Sequence, residues 1–161
     1  MTQRISTLFL MLILSAFALT PDARADNGYP YPGMLVVKSK HSFGVLWKRL
    51  ENAIKNNNMG LVGRASASYG AKSRGIKIKG NAVFGVYRND FAVRMLKASV
   101  PAGIEAPLRI YLSENADGST NLTYRRPSAV FKPYGSPDLD AMALELDKIF
   151  AAIAADAAGQ R

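Results

Sequence analysis

The sequence predicts a two-layer α+β domain in the order β-α-β-(α)-β-α-β-β-α, with a mixed β-sheet of about five strands covered by helices on one face. Three observations predict it. Apolar residues recur with a helical period in some segments and alternate in others. Asp117-Gly118 sits between two alternating runs, and Gly accepts the positive φ that a tight hairpin turn needs. The third is length without cysteine: 161 residues and no Cys can bury a core through apolar packing alone.

Taken in order, Asp26 to Gly33 interleaves Pro and Gly with Tyr29 and Tyr31 and reads as a short lead-in over residues 26–33. Met34-Leu-Val-Val37 is a compact apolar strand that leaves through Lys38 and Lys40. Ser42 is a good N-cap for a helix from Phe43 to about Asn57. Phe43, Leu46, Trp47, Leu50 and Ile54 line one face of that helix, so its spacing places Trp47 in the core. Asn56-Asn57-Asn58 is expected to fray its end. Leu61 to Ala67 is a second strand of small residues. Ser68 to Gly75 is a short helical turn stopped by Gly75. Ala82 to Tyr87 is the third strand.

Asn89 is expected to cap a helix from Asp90 to about Ser99, with Phe91, Met95 and Leu96 as its core face. A loop from Pro101 to Pro107 leads into the hairpin. Ile110, Leu112, Leu122 and Tyr124 face one side of it, and Arg109, Tyr111, Asn121 and Thr123 the other. Pro127 ends the returning strand and a loop follows. Ser136 and Pro137 start the last helix, with Asp138 and Asp140 in its first turn. Leu139, Met142, Leu146, Ile149, Phe150 and Ile153 make its apolar stripe. The tail from Ala154 is expected to fray. The domain is thus expected to span 34–156, with 157–161 as tail.

The first 25 residues stand apart from this fold. Ile5 to Leu19 is an apolar run after a basic start, and Ala23-Arg24-Ala25 fits a small-x-small cleavage site. The run is short of the about 20 apolar residues of a membrane span and is followed by Pro21-Asp22. It reads as a secretory signal peptide cut after Ala25, which places the protein in the periplasm or outside the cell with no transmembrane segment left. The whole chain carries a net charge of +9. The leader holds Arg4 and Arg24 against Asp22, so the exported part keeps +8. Such a protein attracts anions, or uses its charge for solubility; the charge alone does not choose among phospholipid, glycan, nucleic acid or a small acidic metabolite.

Val83-Phe84-Gly85, Met95-Leu96, the Pro101 to Pro107 stretch opening into Leu108-Arg109, and Asp117-Gly118 followed by Leu122-Thr123-Tyr124 and Pro127 occur together in an order and spacing that resemble the DUF302 family. The resemblance covers about Ser39 to Pro127, and the final helix is consistent with it. It implies the TT1751-like α+β fold and self-association as a homodimer. It implies no activity, because the family has none assigned. The chain also departs from the family pattern. It has Ser66-Ala67 where many members carry an acidic residue and a histidine, and Val86-Tyr87 where many have Asn-Pro.

The chemistry legible in the residues is sparse. His41 is the single histidine and there is no cysteine, so no metal site and no cofactor are expected; zinc and copper want several N or S donors. No Gly-x-Ser-x-Gly frame occurs. Gly75-Ile-Lys-Ile-Lys-Gly80 has the glycine spacing of a phosphate loop but continues Asn81-Ala82, without its Lys and Ser/Thr. No catalytic residue is therefore assigned. Cations cluster at Lys72, Arg74, Lys77 and Lys79, with Arg64 one strand earlier, Arg88 after the third strand, and Arg125 and Arg126 after the hairpin. If strand ends converge, Arg64, Lys72, Arg74, Arg88, Arg109 and Tyr124 surround an anion-accepting cleft; otherwise these cations are a scattered solvated surface.

The first reading is a non-catalytic exported binding module for a small anionic or amphiphilic ligand or a protein partner. The second is a hydrolase-like enzyme using Arg, Tyr and carboxylate groups without metal, with Arg64, Tyr124 and Glu105 as its candidates. A third is adsorption of a basic surface to membrane or polyanion, with no specific nucleic acid recognised.

Overall fold

The structure is a computed structural model that describes residues 31–160. The leader and most of the 26–33 lead-in lie outside the described residues. Within them, five strands form one sheet: β1 (Met34–Ser39), β2 (Gly60–Ala65), β3 (Asn81–Tyr87), β4 (Leu108–Glu114) and β5 (Thr120–Arg125), in the spatial order β1-β5-β4-β3-β2. The helices are α1 (Phe43–Asn56), α2 (Ala67–Lys72), α3 (Asn89–Ala98), α4 (Pro127–Phe131) and α5 (Pro137–Ala158). The two-layer α+β class holds. The sheet, expected to be mixed, is antiparallel at every pairing. The reason is placement: α1 carries the chain from one edge strand, β1, to the other, β2, so these two parallel strands never become neighbours.

The β4–β5 hairpin is in the register its alternation requires, with Ile110 opposite Tyr124 and Leu112 opposite Leu122. Gly118 holds φ +82° in the turn, and the Asp117 carboxylate accepts from the Ser119 N–H at 3.0 Å and its hydroxyl at 2.6 Å. A one-residue slip would turn the whole apolar set outward. Phe84, Ile110, Leu112, Leu122, Leu46, Leu50, Leu139 and Phe150 meet in one buried core between sheet and helices. The stripes begun by Phe43, Phe91 and Leu139 all reach that same sheet.

Helix ends are where the sequence expectations need most correction. Asn58 does not fray; it adopts φ +56°, and Met59 N–H reaches the Ile54 carbonyl at 3.0 Å while Asn58 N–H reaches Lys55 at 3.0 Å. That is a Schellman motif, which consumes carbonyls the helix would otherwise leave open. The chain from Ala154 does not fray either. α5 runs through Ala158, with Ala154 and Ala157 buried. Gly159 at φ +74° closes it, with Gln160 N–H on the Ala155 carbonyl at 3.0 Å. Arg49 of α1 then donates to the Ala157 carbonyl at 2.6 Å and the Asp156 carbonyl at 2.8 Å, a cation placed at the negative end of the helix.

Smaller corrections follow the same logic. The N-cap of α3 is Arg88, with Asn89 already helical, and Leu96 is 46% exposed rather than core. After Pro127 the expected loop is the short α4, whose Val130 and Phe131 are buried. Residues 100–105, expected as loop, form a 3-10 helix. Gly75 does stop α2, at φ +72°, with Ile76 N–H on the Ala71 carbonyl and Gly75 N–H on Lys72.

Candidate functional site

The chemistry-bearing surface gathers where α1 begins, at the β2 edge of the sheet. Phe43 and Trp47 lie one turn apart on α1, with ring centroids 5.7 Å apart, edge to face. Trp47 stands on buried Phe84 of β3 at 4.8 Å. Tyr69 of α2 completes the cluster, 5.2 Å from Trp47 and 6.3 Å from Phe43. The placement of Tyr69 comes from serines. Ser66 caps α2 by accepting the Tyr69 N–H and donates its hydroxyl to the Asn81 carbonyl at 2.7 Å. Ser68 accepts the Asn81 N–H, and the Asn81 side chain accepts the Ala67 N–H. These bonds tie α2 to the first residue of β3.

Tyr69 separates two hollows. One, of about 570 Å³, is walled by Trp47, Lys48, Glu51, Arg64 and Ser66. The other, of about 460 Å³, is walled by Phe43, Lys72, Ile76, Lys77, Ile78 and Glu114. In the first, the Glu51 carboxylate accepts the Trp47 indole N–H at 2.9 Å and pairs with the Arg64 guanidinium. Glu51 therefore fixes the indole and leaves Lys48 and the outer side of Arg64 as the cationic rim. In the second, Glu114 is committed to the Gly80 N–H at 2.7 Å.

The six residues expected to surround an anion site do not converge on one hollow. Arg64 borders the first hollow and also a third, which it shares with Arg109, while Lys72 lines the second. Arg74 lies on the exposed stretch after α2. Arg109 faces away from the helices, in a third hollow of about 390 Å³ with Gly85, Glu105 and Pro107. Arg88 pairs with Asp90 at 2.7 Å and lies 4.3 Å over the Phe91 ring, beside a small apolar cavity of about 30 Å³ lined by Met59, Met95 and Met142. Tyr124 is buried in the core, 5.8 Å from Phe150. The reason is strand alternation: Tyr124 and Arg109 sit on opposite faces of one sheet.

The same alternation takes Tyr124 out of the Arg64, Tyr124 and Glu105 set, while Arg64 and Glu105 both border the third hollow. Glu105 accepts the Tyr134 hydroxyl at 3.0 Å. Burial raises the pKa of Tyr124, aided by the Asp147 charge. Burial followed by the bond to Glu105 raises that of Tyr134. The carboxylates whose pKa moves all move down. For Asp90 and Glu145 the main cause is a hydrogen bond from Arg88 and Arg94 respectively; for Asp117 it is a bond from Ser119. A general acid needs the opposite shift. Among the described residues no group of three or more His, Cys, Asp or Glu could hold a metal ion, and no helix is long and apolar enough to cross a membrane.

Spacing predicts Trp47 in the core, and it is there only in part: its ring meets Phe84 edge to face and also lines the hollow. Glu51, Lys48 and Tyr69 were not foreseen as site residues. One sequence signal could have found them. Gly60 to Ser68 holds Gly, Ala and Ser at six of nine positions, too little bulk to cover an indole at the sheet edge.

Comparison with known proteins agrees with this architecture. The family model described as "Domain of unknown function DUF302" matches residues 35–157. A search of curated proteins finds no match. Among solved structures, the crystal structure of an uncharacterized conserved DUF302 protein from Bacillus stearothermophilus aligns with a TM-score of 0.70 at 19% identity, covering 79% of this chain and 98% of that one. At that identity the likeness speaks for the fold alone. With a family model spanning most of its length and the whole domain of that structure retraced, this chain belongs to the DUF302 family.

Proposed function

We propose that this chain is an exported, non-catalytic binding module that holds a small anionic or amphiphilic ligand in the hollow beside Trp47. The observation that carries the reading is the juxtaposition of a partly covered indole, the exposed Tyr69 ring and the cations Lys48 and Arg64 around about 570 Å³. Apolar walls with a few convergent polar groups are the usual makeup of a small-molecule site, and guanidinium presents a fork suited to carboxylate or phosphate. The burial of Tyr124 in the core and the engagement of Glu105 by the Tyr134 hydroxyl favour binding over catalysis.

Trp47 is the only tryptophan, so its emission reports on this hollow. Titration with benzoate and with decanoate should give a saturable change in Trp47 emission that Arg64→Gln and Lys48→Gln weaken. Native mass spectrometry of protein taken from its own host should show a retained small molecule. An empty protein whose emission ignores both probes overturns the reading. The export half is checked separately, by an N-terminus at Asp26 in that material.

A further inference from the structure

A second surface, beside the Tyr69 hollow, has a different makeup. Between Gly75 and Gly80 the chain runs Ile-Lys-Ile-Lys, and Ile76 and Ile78 are 48% and 47% exposed. Both border the same hollow as Tyr69, itself 55% exposed. The stretch is fixed at both ends. Gly75 closes the Schellman motif of α2, and Gly80 exchanges bonds with Glu114, N–H to carboxylate at 2.7 Å and carbonyl to the Glu114 N–H at 2.8 Å. Backbone held at both ends thus presents two isoleucines outward, beside Tyr69 of α2.

Charge surrounds them. Residues 66–80 contain Lys72, Arg74, Lys77 and Lys79 and no Asp or Glu. Ion pairs among the described residues involve Arg64, Arg88, Arg94 and Lys132, and none of these four. The acids nearby are Glu114, committed to Gly80, and Asp117, which lies near Lys79 and accepts from Ser119.

We propose that the Lys72–Gly80 segment, with Tyr69 beside it, is a docking surface for an anionic lipid bilayer, Ile76, Ile78 and Tyr69 entering the interface and the four cations meeting headgroups. Exposed apolar patches with a polar rim mark interaction sites. A polyanion such as nucleic acid would satisfy the cations but give the isoleucines nothing to enter. A bilayer satisfies both, since interfacial binding sums buried apolar area and attraction to anionic lipid, and Tyr favours the headgroup level. This surface shares Tyr69 with the Trp47 hollow but none of that hollow's cations, so Arg64→Gln leaves its charge unchanged.

The chain has no cysteine, so Ile78→Cys carrying an environment-sensitive fluorophore marks the segment in the full chain. Asn56→Cys carries the same probe at the far end of α1, about 20 Å from Phe43 by helix rise. Vesicles of phosphatidylglycerol and phosphatidylcholine should brighten and blue-shift the probe at 78 several-fold and leave the probe at 56 unchanged. Phosphatidylcholine alone should do neither, and about 0.5 M salt should abolish the response. Lys72→Gln with Lys77→Gln should weaken partitioning about 25-fold, at about five-fold per cation. The same response at both positions, or with neutral vesicles, overturns the proposal, as does no response at 78. So does an equal response to an oligonucleotide or to inorganic phosphate. If the labelled Ile78→Cys chain loses its parent's urea midpoint, Ile76→Cys takes its place.

Discussion

Two stretches of this chain alternate apolar and charged or polar residues, and they end in opposite environments. Leu108-Arg-Ile-Tyr-Leu112 opens β4, flanked by β3 and β5, with Leu108, Ile110 and Leu112 buried. Gly75-Ile-Lys-Ile-Lys-Gly80 has the same period, takes no strand pairing, and leaves both isoleucines half exposed. Alternation makes a residue set two-faced; it does not supply a neighbour. β4 has a ladder on both sides and helices over one face. The 75–80 run has a glycine anchor at each end and open space between. The difference separates residues that hold the fold from residues available to a partner.

The largest test of that contrast is deletion of a ring on the packed side. Phe84 is fully buried and supports Trp47. Phe84→Ala should cost about 3–5 kcal/mol of stability in urea unfolding. Ile76→Ser, on the open side, should stay within about 0.5 kcal/mol of the parent. A comparable loss for Ile76→Ser would show that the segment is part of the core after all.

The anchors lie between these extremes. A Cβ on Gly80 would fall 2.5 Å from the Phe43 ring, so Gly80→Ala should cost about 1–3 kcal/mol as ring and loop part. At Gly75 there is room, and only the left-handed φ of +72° resists. Gly75→Ala should cost about 1 kcal/mol. Thermal unfolding orders the two, and Gly80→Ala should also shift Trp47 emission, since Phe43 packs on that indole. Equal costs with unchanged emission would mean that Phe43 simply moves aside.

The same distinction explains what was legible in the sequence. The hairpin faces, the α1 and α5 stripes and the Gly75 stop follow from local periods and turn chemistry, which residues fix on their own. The strand order does not, because it depends on which edge α1 carries the chain to. Asn58 and Gly159 are misread as fraying because polar, small residues look alike whether they end a helix loosely or close it with a positive φ. Tyr124 and Arg109 share a cleft only if strand ends converge, and the alternation that sets them on opposite faces of the hairpin prevails. The hollow at Trp47 was hidden because the spacing that packs an indole is the same spacing that displays its edge. What uncovers it is the lack of bulk on β2, a property of the neighbour.

The smallest effect concerns cations that are spent. Arg94 of α3 donates to Glu145 of α5 at 2.8 and 2.6 Å, and that bond, ahead of the Arg94 charge, holds the Glu145 pKa below its ordinary value. A depressed folded pKa means that the pair stabilises the protein above the unfolded carboxylate pKa and that this contribution fades as pH falls through the folded one. Glu145→Gln should therefore lower the urea midpoint at pH 7, while at pH 2 the variant and the parent should coincide. Both side chains are exposed, so the difference should be slight and should shrink in salt. If the gap persisted unchanged at low pH, packing of the Glu145 stem rather than its charge would join α3 to α5. Arg94 would then stand with Lys72 and Lys77 as a cation not committed to the fold, and the separation between structural and available charge would fail at that point.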